Sequence, residues 1–376
     1  MALRLYQMLK KEFLLLLRDR RMRTVLFVMP AIQVLVFGYA ATNDVREVPT
    51  AVYDLDRTPQ SRELAARFMG SGFFHEVARP RNEAEIREAL DSGTVGAVLR
   101  MDAGYGADIL AGRTAGVQLL LDGADSNTSA VVLSYASAIV AAYSRDVRAR
   151  RVEVLLGAPP RFPGVTLKSR AWFNENLISR NYFLPGIIAN LVLIISLMLT
   201  GMAVVREVEI GTIEQVLVTP LRPLEIMLGK TLPFAAVGVG VMVIVSAVGI
   251  NWFDVPIRGN PLVLLLGTLL YLMSTVGAGL MISTVSRTQQ QAMMSTFFFV
   301  FPAILLSGFA FPIDNMPSAI QWLTYLNPVR YYLVIIRGVF LKGVGIDVLW
   351  PQMAALALLG TATLAFASAR FRRTLV

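Results

Sequence analysis

Gly229-Lys230-Thr231 is the nearest approach in this chain to a nucleotide-binding motif. A phosphate-binding loop needs Gly-x-x-x-x-Gly-Lys-Ser/Thr, because backbone amides must cradle the phosphates while the lysine reaches them. Here the leading glycine is replaced by Leu224, and the triplet runs into an apolar stretch. As a nucleotide site the match is accidental, and ATP is not bound by that route. Serine-histidine-aspartate catalysis has no better support. The single histidine, His75, stands beside Glu76 and far along the chain from Asp54 and Asp56, which suits a surface histidine rather than a triad member. One histidine and no cysteine exclude a multi-histidine metal site, thiolate ligands, disulfides and a cysteine nucleophile. No catalytic, cofactor-binding or metal-ligating residue is assigned, and the chain is not expected to be an enzyme.

What the chain does offer is charge in one place. Residues 206–230 (REVEIGTIEQVLVTPLRPLEIMLGK) lie between two apolar runs, 182–205 and 231–250, each close to the roughly 20 residues that a membrane-crossing helix needs. A charged segment between two such runs must sit in water on one membrane face. Ile210, Ile213, Val216 and Leu217 recur at helical spacing, while Glu207, Glu209, Glu214 and Gln215 turn elsewhere. Thr219-Pro220 and Arg222-Pro223 end the pattern, since proline disfavours helix in the residue before it. The spacing predicts a short amphipathic helix over 206–220, flat at the surface, that offers acidic groups to a soluble partner. An ordinary solvated connector would carry the same pattern.

The elements around this segment follow from composition. The 376 residues are 55% hydrophobic and 16% charged, with mean hydropathy +0.58. That is too apolar for a soluble globular protein and suits an integral membrane protein carrying one polar domain. The net charge of +9 reads first as membrane anchoring and topology. No aromatic-interleaved basic module points to nucleic acid. Residues 1–23 combine an apolar stripe (Leu5, Leu9, Phe13, Leu16, Leu17) with dense positive charge, which predicts an amphipathic interfacial helix against anionic lipid. Residues 24–42 are the first span, with the N-terminus cytoplasmic by the positive-inside rule.

Residues 43–181 hold frequent charges and no run long enough to cross. Strands over 50–53, 95–99 and 117–121 alternate with helices over 59–69, 83–90 and 129–151, which predicts an α/β extracytoplasmic domain. Further spans are predicted near 182–205, 231–250, 261–285, 293–310 and 348–367. The fold class is therefore an α-helical polytopic membrane protein of about six transmembrane helices, both termini cytoplasmic, with the α/β domain inserted between the first and second spans. Residues 311–343 are apolar but cut by Pro312, Pro317 and Pro328, so the pieces 318–325 and 329–339 are too short to cross and are expected as outer re-entrant or interfacial helices. A seventh span is the alternative, and it would put the C-terminal arginines outside.

The spans carry almost no ionisable group, which disfavours a proton-driven transporter. Gly238 and Gly240, and Gly277 and Gly279, are expected to permit close helix packing. Phe297, Phe298 and Phe301 are either lipid-facing bulk or the wall of an apolar pathway.

A membrane protein with no motor and no ion relay, presenting a helix to the cytoplasm, asks for an ATPase in trans. Three stretches resemble the permease subunit of type 2 ABC transporters, the type V exporter group, and they are spread along the chain from position 14 to position 338. The first is the basic helix and first span, LLLLRDRRMRTVLFVMPAIQVLVFGYA. The second, REVEIGTIEQVLVTPL, is similar to the family's cytoplasmic signature, with Glu207, Gly211, Thr212, Glu214, Leu217, Thr219 and Pro220 in place. The third, LSGFAFPIDNMPSAIQWLTYLNPVRYYLVIIRG, is similar to its outer signature, with Gly308, Pro312, Met316, Pro317, Asn327 and Pro328 in position. The polar domain, opening VPTAVYDLDRTPQSRELAARF, looks like the bacterial multidrug-export branch.

The resemblance implies a half-transporter in the cell inner membrane. A second permease chain, identical or a sister, would join two ABC ATPase subunits, which would hold the ATP and Mg; this chain would bind no cofactor. The 206–220 helix would be the coupling helix, substrate would pass between the second and fifth spans, and the outer domain would gate the exit or dock a periplasmic adaptor. The implied cargo is drug-like or amphiphilic. Export of lipid or glycolipid by the same architecture is the alternative, and a membrane sensor with a ligand-binding outer domain is a remote one. Glu209 lies beyond the pattern and receives no role.

Overall fold

The computed structural model describes residues 2–18, 23–40, 47–157, 172–174, 178–211 and 223–374. The chain divides into two units, one of Met1–Thr42 with Arg170–Val376 and one of Asn43–Ser169. The first unit opens with α1 (Ala2–Arg18), then a π-helical turn (Thr24–Val28) that leads into α2 (Met29–Ala40). The second unit follows as β1 (Val48–Asp54), α3 (Pro59–Met69), β2 (Phe74–Ala78), α4 (Glu83–Asp91), β3 (Ala97–Met101), α5 (Tyr105–Ala111), β4 (Gln118–Leu121) and α6 (Ser126–Leu156). The chain then completes the first unit with α7 (Ser179–Ile210), α8 (Pro223–Phe253), α9 (Pro261–Val285), α10 (Gln289–Leu305), α11 (Ser318–Thr324), α12 (Pro328–Arg337) and α13 (Ile346–Thr374).

The second unit is a sheet in the order β2-β1-β3-β4, with only β4 antiparallel to its neighbour. Successive strand side chains face opposite ways. Val48 and Val52 of β1, with Leu99 and Met101 of β3, pack against Leu64 and Phe68 of α3, Tyr105 of α5 and Val132 of α6. On the other face Ala51, Tyr53 and Val98 meet Ile86 of α4. A strand covered on both sides reads as a continuous apolar run, which is why β1 was legible as a strand. The side chains of Thr58 and Asn82 accept from the backbone N–H groups of Ser61 and Glu85, and so start α3 and α4. Two elements lay outside expectation. β2 is an edge strand whose FHEVA has little apolar signal. α5 is short and flanked by Gly104 and Gly112, both at positive φ, so it reads as a turn.

In the first unit α9 has the bounds its apolar run predicts. α7, Glu225–Phe253 within α8, α9 and Ile346–Arg370 within α13 are long and apolar enough to cross a membrane. Leu26–Ala40 is a shorter apolar helix. α10 has 17 residues, about 25 Å at 1.5 Å per residue. It stops at Leu305 rather than near 310, because Pro302 interrupts its bonding ladder and a turn through Gly308 follows. Residues 311–343 form a 3₁₀ turn (Ile313–Asn315), α11, α12 and a π-helical turn (Gly338–Lys342), each too short to cross.

Aromatic and hydroxyl groups tie this bundle together. Tyr271 of α9 stacks on Tyr332 of α12, ring centroids 4.2 Å apart and 7° from parallel. The Tyr332 hydroxyl bonds Thr268 Oγ1 at 2.8 Å, and the Tyr271 hydroxyl donates to Ala189 O of α7 at 3.2 Å. A Cβ at Gly277 would lie 2.6 Å from Thr363 Oγ1, and one at Gly279 would lie 2.8 Å from Thr200 Cβ. These glycines bring α13 and α7 against α9. Gly238 likewise faces Leu272 closely, whereas Gly240 has only Phe27 at an ordinary 3.7 Å.

Candidate functional site

Residues 206–210 continue α7 rather than opening a surface helix of their own. Nothing in that stretch breaks a helix. The first stop is Gly211 at φ +79°, whose N–H bonds the carbonyls of Glu207 and Val208. A left-handed glycine just past the last turn satisfies carbonyls the helix would otherwise leave open. The expected boundary at 205/206 therefore moves to 210/211, and Glu207 and Gly211 stand at the end of a membrane helix. Thr212, Glu214, Leu217, Thr219 and Pro220 lie outside the described residues.

Glu207 does not offer its carboxylate to bulk water. Its Oε1 is 2.6 Å from Lys230 Nζ of α8, with side chains 14% and 3% exposed. Glu12 Oε1 of α1 lies 3.9 Å from the same nitrogen. Lys11 Nζ is 3.8 Å from Glu207 and 4.0 Å from Glu12. Among the described residues two carboxylates thus meet two ammonium groups, the condition under which charge is tolerated against apolar helices. The cluster fastens α1, α7 and α8 where the chain enters and leaves residues 212–222. Met8 of α1 packs with Ile226 and Met227 of α8, Leu280 of α9 and Ala367 of α13. The helix expected in the interface therefore has one edge seated on the bundle, while Tyr6 and Leu14 remain exposed.

Glu209, two residues further on and so on another face of α7, binds the start of α10. Its Oε2 accepts from the Gln289 backbone N–H at 3.1 Å and from Gln289 Nε2 at 2.8 Å. A carboxylate at a helix N-terminus meets unpaired N–H groups and the favourable end of the dipole. The end of α7 is thus attached to α8 through Lys230 and to α10 through Gln289.

The other end of α10 holds the second signature. Pro312 and Met316 bracket the 3₁₀ turn, and Pro317 precedes α11. Gln321 Nε2 donates to Met316 O at 2.8 Å. Asn327 Nδ2 donates to Ala303 O of α10 at 2.7 Å, while its Oδ1 accepts from Val329 N at 3.1 Å to cap α12, whose first residue is Pro328. With Gly308 at φ +83°, these residues form one run of turns and caps between α10 and α12. Phe297, Phe298 and Phe301 lie exposed on α10.

Glu12 and Lys230 carry no role in the sequence pattern, and Lys11 only that of positive charge on the first helix. One signal was present: Lys230 is a charged side chain at the edge of an apolar run, where an ionisable group marks a site by default. No spacing pairs it with Glu12, because the pairing is tertiary.

A helical bundle in which one signature closes the long apolar helix α7, and a second caps the short helix α12, defines a class. The chain belongs to the ABC-2 family transporter proteins, whose family model matches residues 20–369, and it is a permease subunit of an ABC transporter. It is 35% identical over 370 residues to the probable multidrug ABC transporter permease YbhR of Escherichia coli K12, covering 98% of each chain. It is 28% identical over 338 residues to the probable multidrug ABC transporter permease YbhS of the same organism, covering 89% of this chain and 87% of that one. The inner membrane transport permease YhhJ, also of E. coli K12, is 26% identical over 370 residues, covering 97% and 96%.

Proposed function

We propose that this chain is the membrane half of an ATP-driven exporter that moves drug-like or amphiphilic molecules out across the inner membrane. A separate ATPase, holding ATP and Mg, seats on the part of 206–220 that follows the end of α7, and a second permease chain completes the pathway. The chain crosses six times with both termini cytoplasmic, α2 and α10 supplying the shorter crossings, and the α/β unit lies outside. The observation that carries this reading is the end of α7. One helix terminus, closed by Gly211 inside the family signature, is bonded to α8, to α10 and to α1. A push on the following segment reaches several membrane helices at once, which a rocking change of access requires. The multidrug names of the relatives YbhR and YbhS support the cargo class.

A mild-detergent pull-down with mass spectrometry tests it. The wild-type chain is expected to bring down an ABC ATPase. Gly211→Pro, which removes the N–H that bonds Glu207 and Val208 and cannot adopt positive φ, is expected to lose that ATPase while the permease still accumulates. No ATPase at any stoichiometry with the wild-type chain removes the energy source and overturns the reading.

A further inference from the structure

We propose that Lys230 is a positioning residue: with Glu207 and Glu12 it latches α1 onto the ends of α7 and α8, so that the three helices move as one. The inference rests on the coupling role proposed above for 206–220.

The triplet that fails as a nucleotide motif is explained by this role. At Gly229 an added Cβ would lie 2.7 Å from Met8 Cγ and Sδ and 3.3 Å from Met8 Cβ. Position 229 is therefore bare because α1 rests on it. The next residue, Lys230, extends its nitrogen into the gap between α1 and α7. It holds Glu207 as a direct ion pair at 2.6 Å and Glu12 at 3.9 Å. Glu12 Oε1 is buried and has no hydrogen bond among the described residues, so the ammonium groups of Lys230 and Lys11 are what neutralise it. Met8 and Glu12 are one helical turn apart on the buried edge of α1. Apolar packing and charge thus meet α8 along the same edge. The two contacts differ in strength: the α7 side is a close ion pair and the α1 side is at the limit of one. The close pair fixes the Lys230 nitrogen against α7 and Glu12 brings α1 to the same nitrogen, whereas a purely apolar seam has no charge to set its register.

The chain has no cysteine, so a paired Met8→Cys and Gly229→Cys variant reports α1 seating without background. The 3.3 Å separation is near the roughly 3.8 Å Cβ–Cβ spacing of a disulfide. Oxidative cross-linking is measured on the full-length permease in membranes, without any ATPase. A high yield is expected, falling about ten-fold when Lys230→Met is added and recovering with Lys230→Arg. In vesicles holding the complete complex, Lys230→Met is expected to lower transport per ATP hydrolysed by about ten-fold, again with recovery by Lys230→Arg. Cross-linking that ignores Lys230→Met, or transport and hydrolysis that fall in proportion, overturns the latch. If Lys230→Met fails to accumulate, Glu12→Gln must give the same loss of cross-linking, and an unchanged yield there overturns it equally. Because the cross-link is read in the permease alone, loss of the coupling reading and loss of the latch are told apart.

Discussion

At Gly279 the nearest atoms to an added Cβ are Thr200 Cβ at 2.8 Å and Leu197 O at 3.2 Å. One of these is backbone and cannot swing aside. Gly279→Leu is therefore expected to destabilise the bundle by about 1–3 kcal/mol through overpacking, read as a lower melting temperature in detergent. Gly240→Ala, facing open space short of Phe27, is expected to leave that temperature unchanged; equal losses at both sites would refute the close approach of α7 to α9. Gly238, Gly277 and Gly279 were legible as close contacts because small residues in an apolar run have few other uses, whereas Gly240 has the same signal and no such contact. Asp56, in the second unit, was not. Its carboxylate accepts from the Thr58 hydroxyl and from the Gly104 and Gly106 amides, both at 2.8 Å. These donors, the Thr58 hydroxyl first, hold its pKa below the ordinary carboxylate value. A carboxyl with a lowered folded pKa contributes stability above its unfolded pKa and loses it as pH falls through the folded one. Thr58→Val is accordingly expected to melt below wild type at neutral pH, with the gap narrowing below about pH 4. A gap constant with pH would mean that only the cap on α3 had been lost.

Among the elements, α12 shows how a helix of ten residues is held without crossing anything. Asn327 caps it and ties it to α10, and Tyr332 joins it to α9 by a ring stack and a hydroxyl bond. Tyr332→Phe keeps the stack and removes the bond to Thr268. It is expected to cost about 0.6–1 kcal/mol. Tyr332→Ala leaves a cavity and is expected to cost about 3–5 kcal/mol. Thermal denaturation of both variants measures the difference, and similar losses would mean that the hydroxyl rather than the ring holds α12. The bounds of α3 and α9 could be read from the chain, since proline and an asparagine or threonine cap stand at their starts. The extension of α7 to Ile210 could not. Charged residues at the end of an apolar run look like the beginning of something new, and only Gly211 says otherwise. The same charges misdirect the site: Glu207 has the composition of a partner-facing acid and the surroundings of an internal one, because Lys230 and Lys11 arrive from elsewhere in the chain.

For the whole molecule the proposal makes a claim about sides. If the chain crosses six times, the short turn at 286–288 is cytoplasmic and the α/β unit is outside, with α2 and α10 crossing despite their length. Helices of this size cross where the bilayer thins or where neighbouring helices cover their ends, each at modest cost. α10 has such cover at both ends: Glu209 bonds its first residue, and Asn327 bonds its Ala303 carbonyl. The absence of cysteine again makes the test clean. Glu88→Cys on α4 and Arg287→Cys in the turn both replace exposed side chains. With a membrane-impermeant maleimide, Glu88→Cys is expected to label in spheroplasts without permeabilisation, and Arg287→Cys only after it. Labelling of both from the same side would mean that the number of crossings between positions 88 and 287 is even. In that case at least one of α7, α8 and α9 does not cross, and the six crossings on which the proposal rests are refuted.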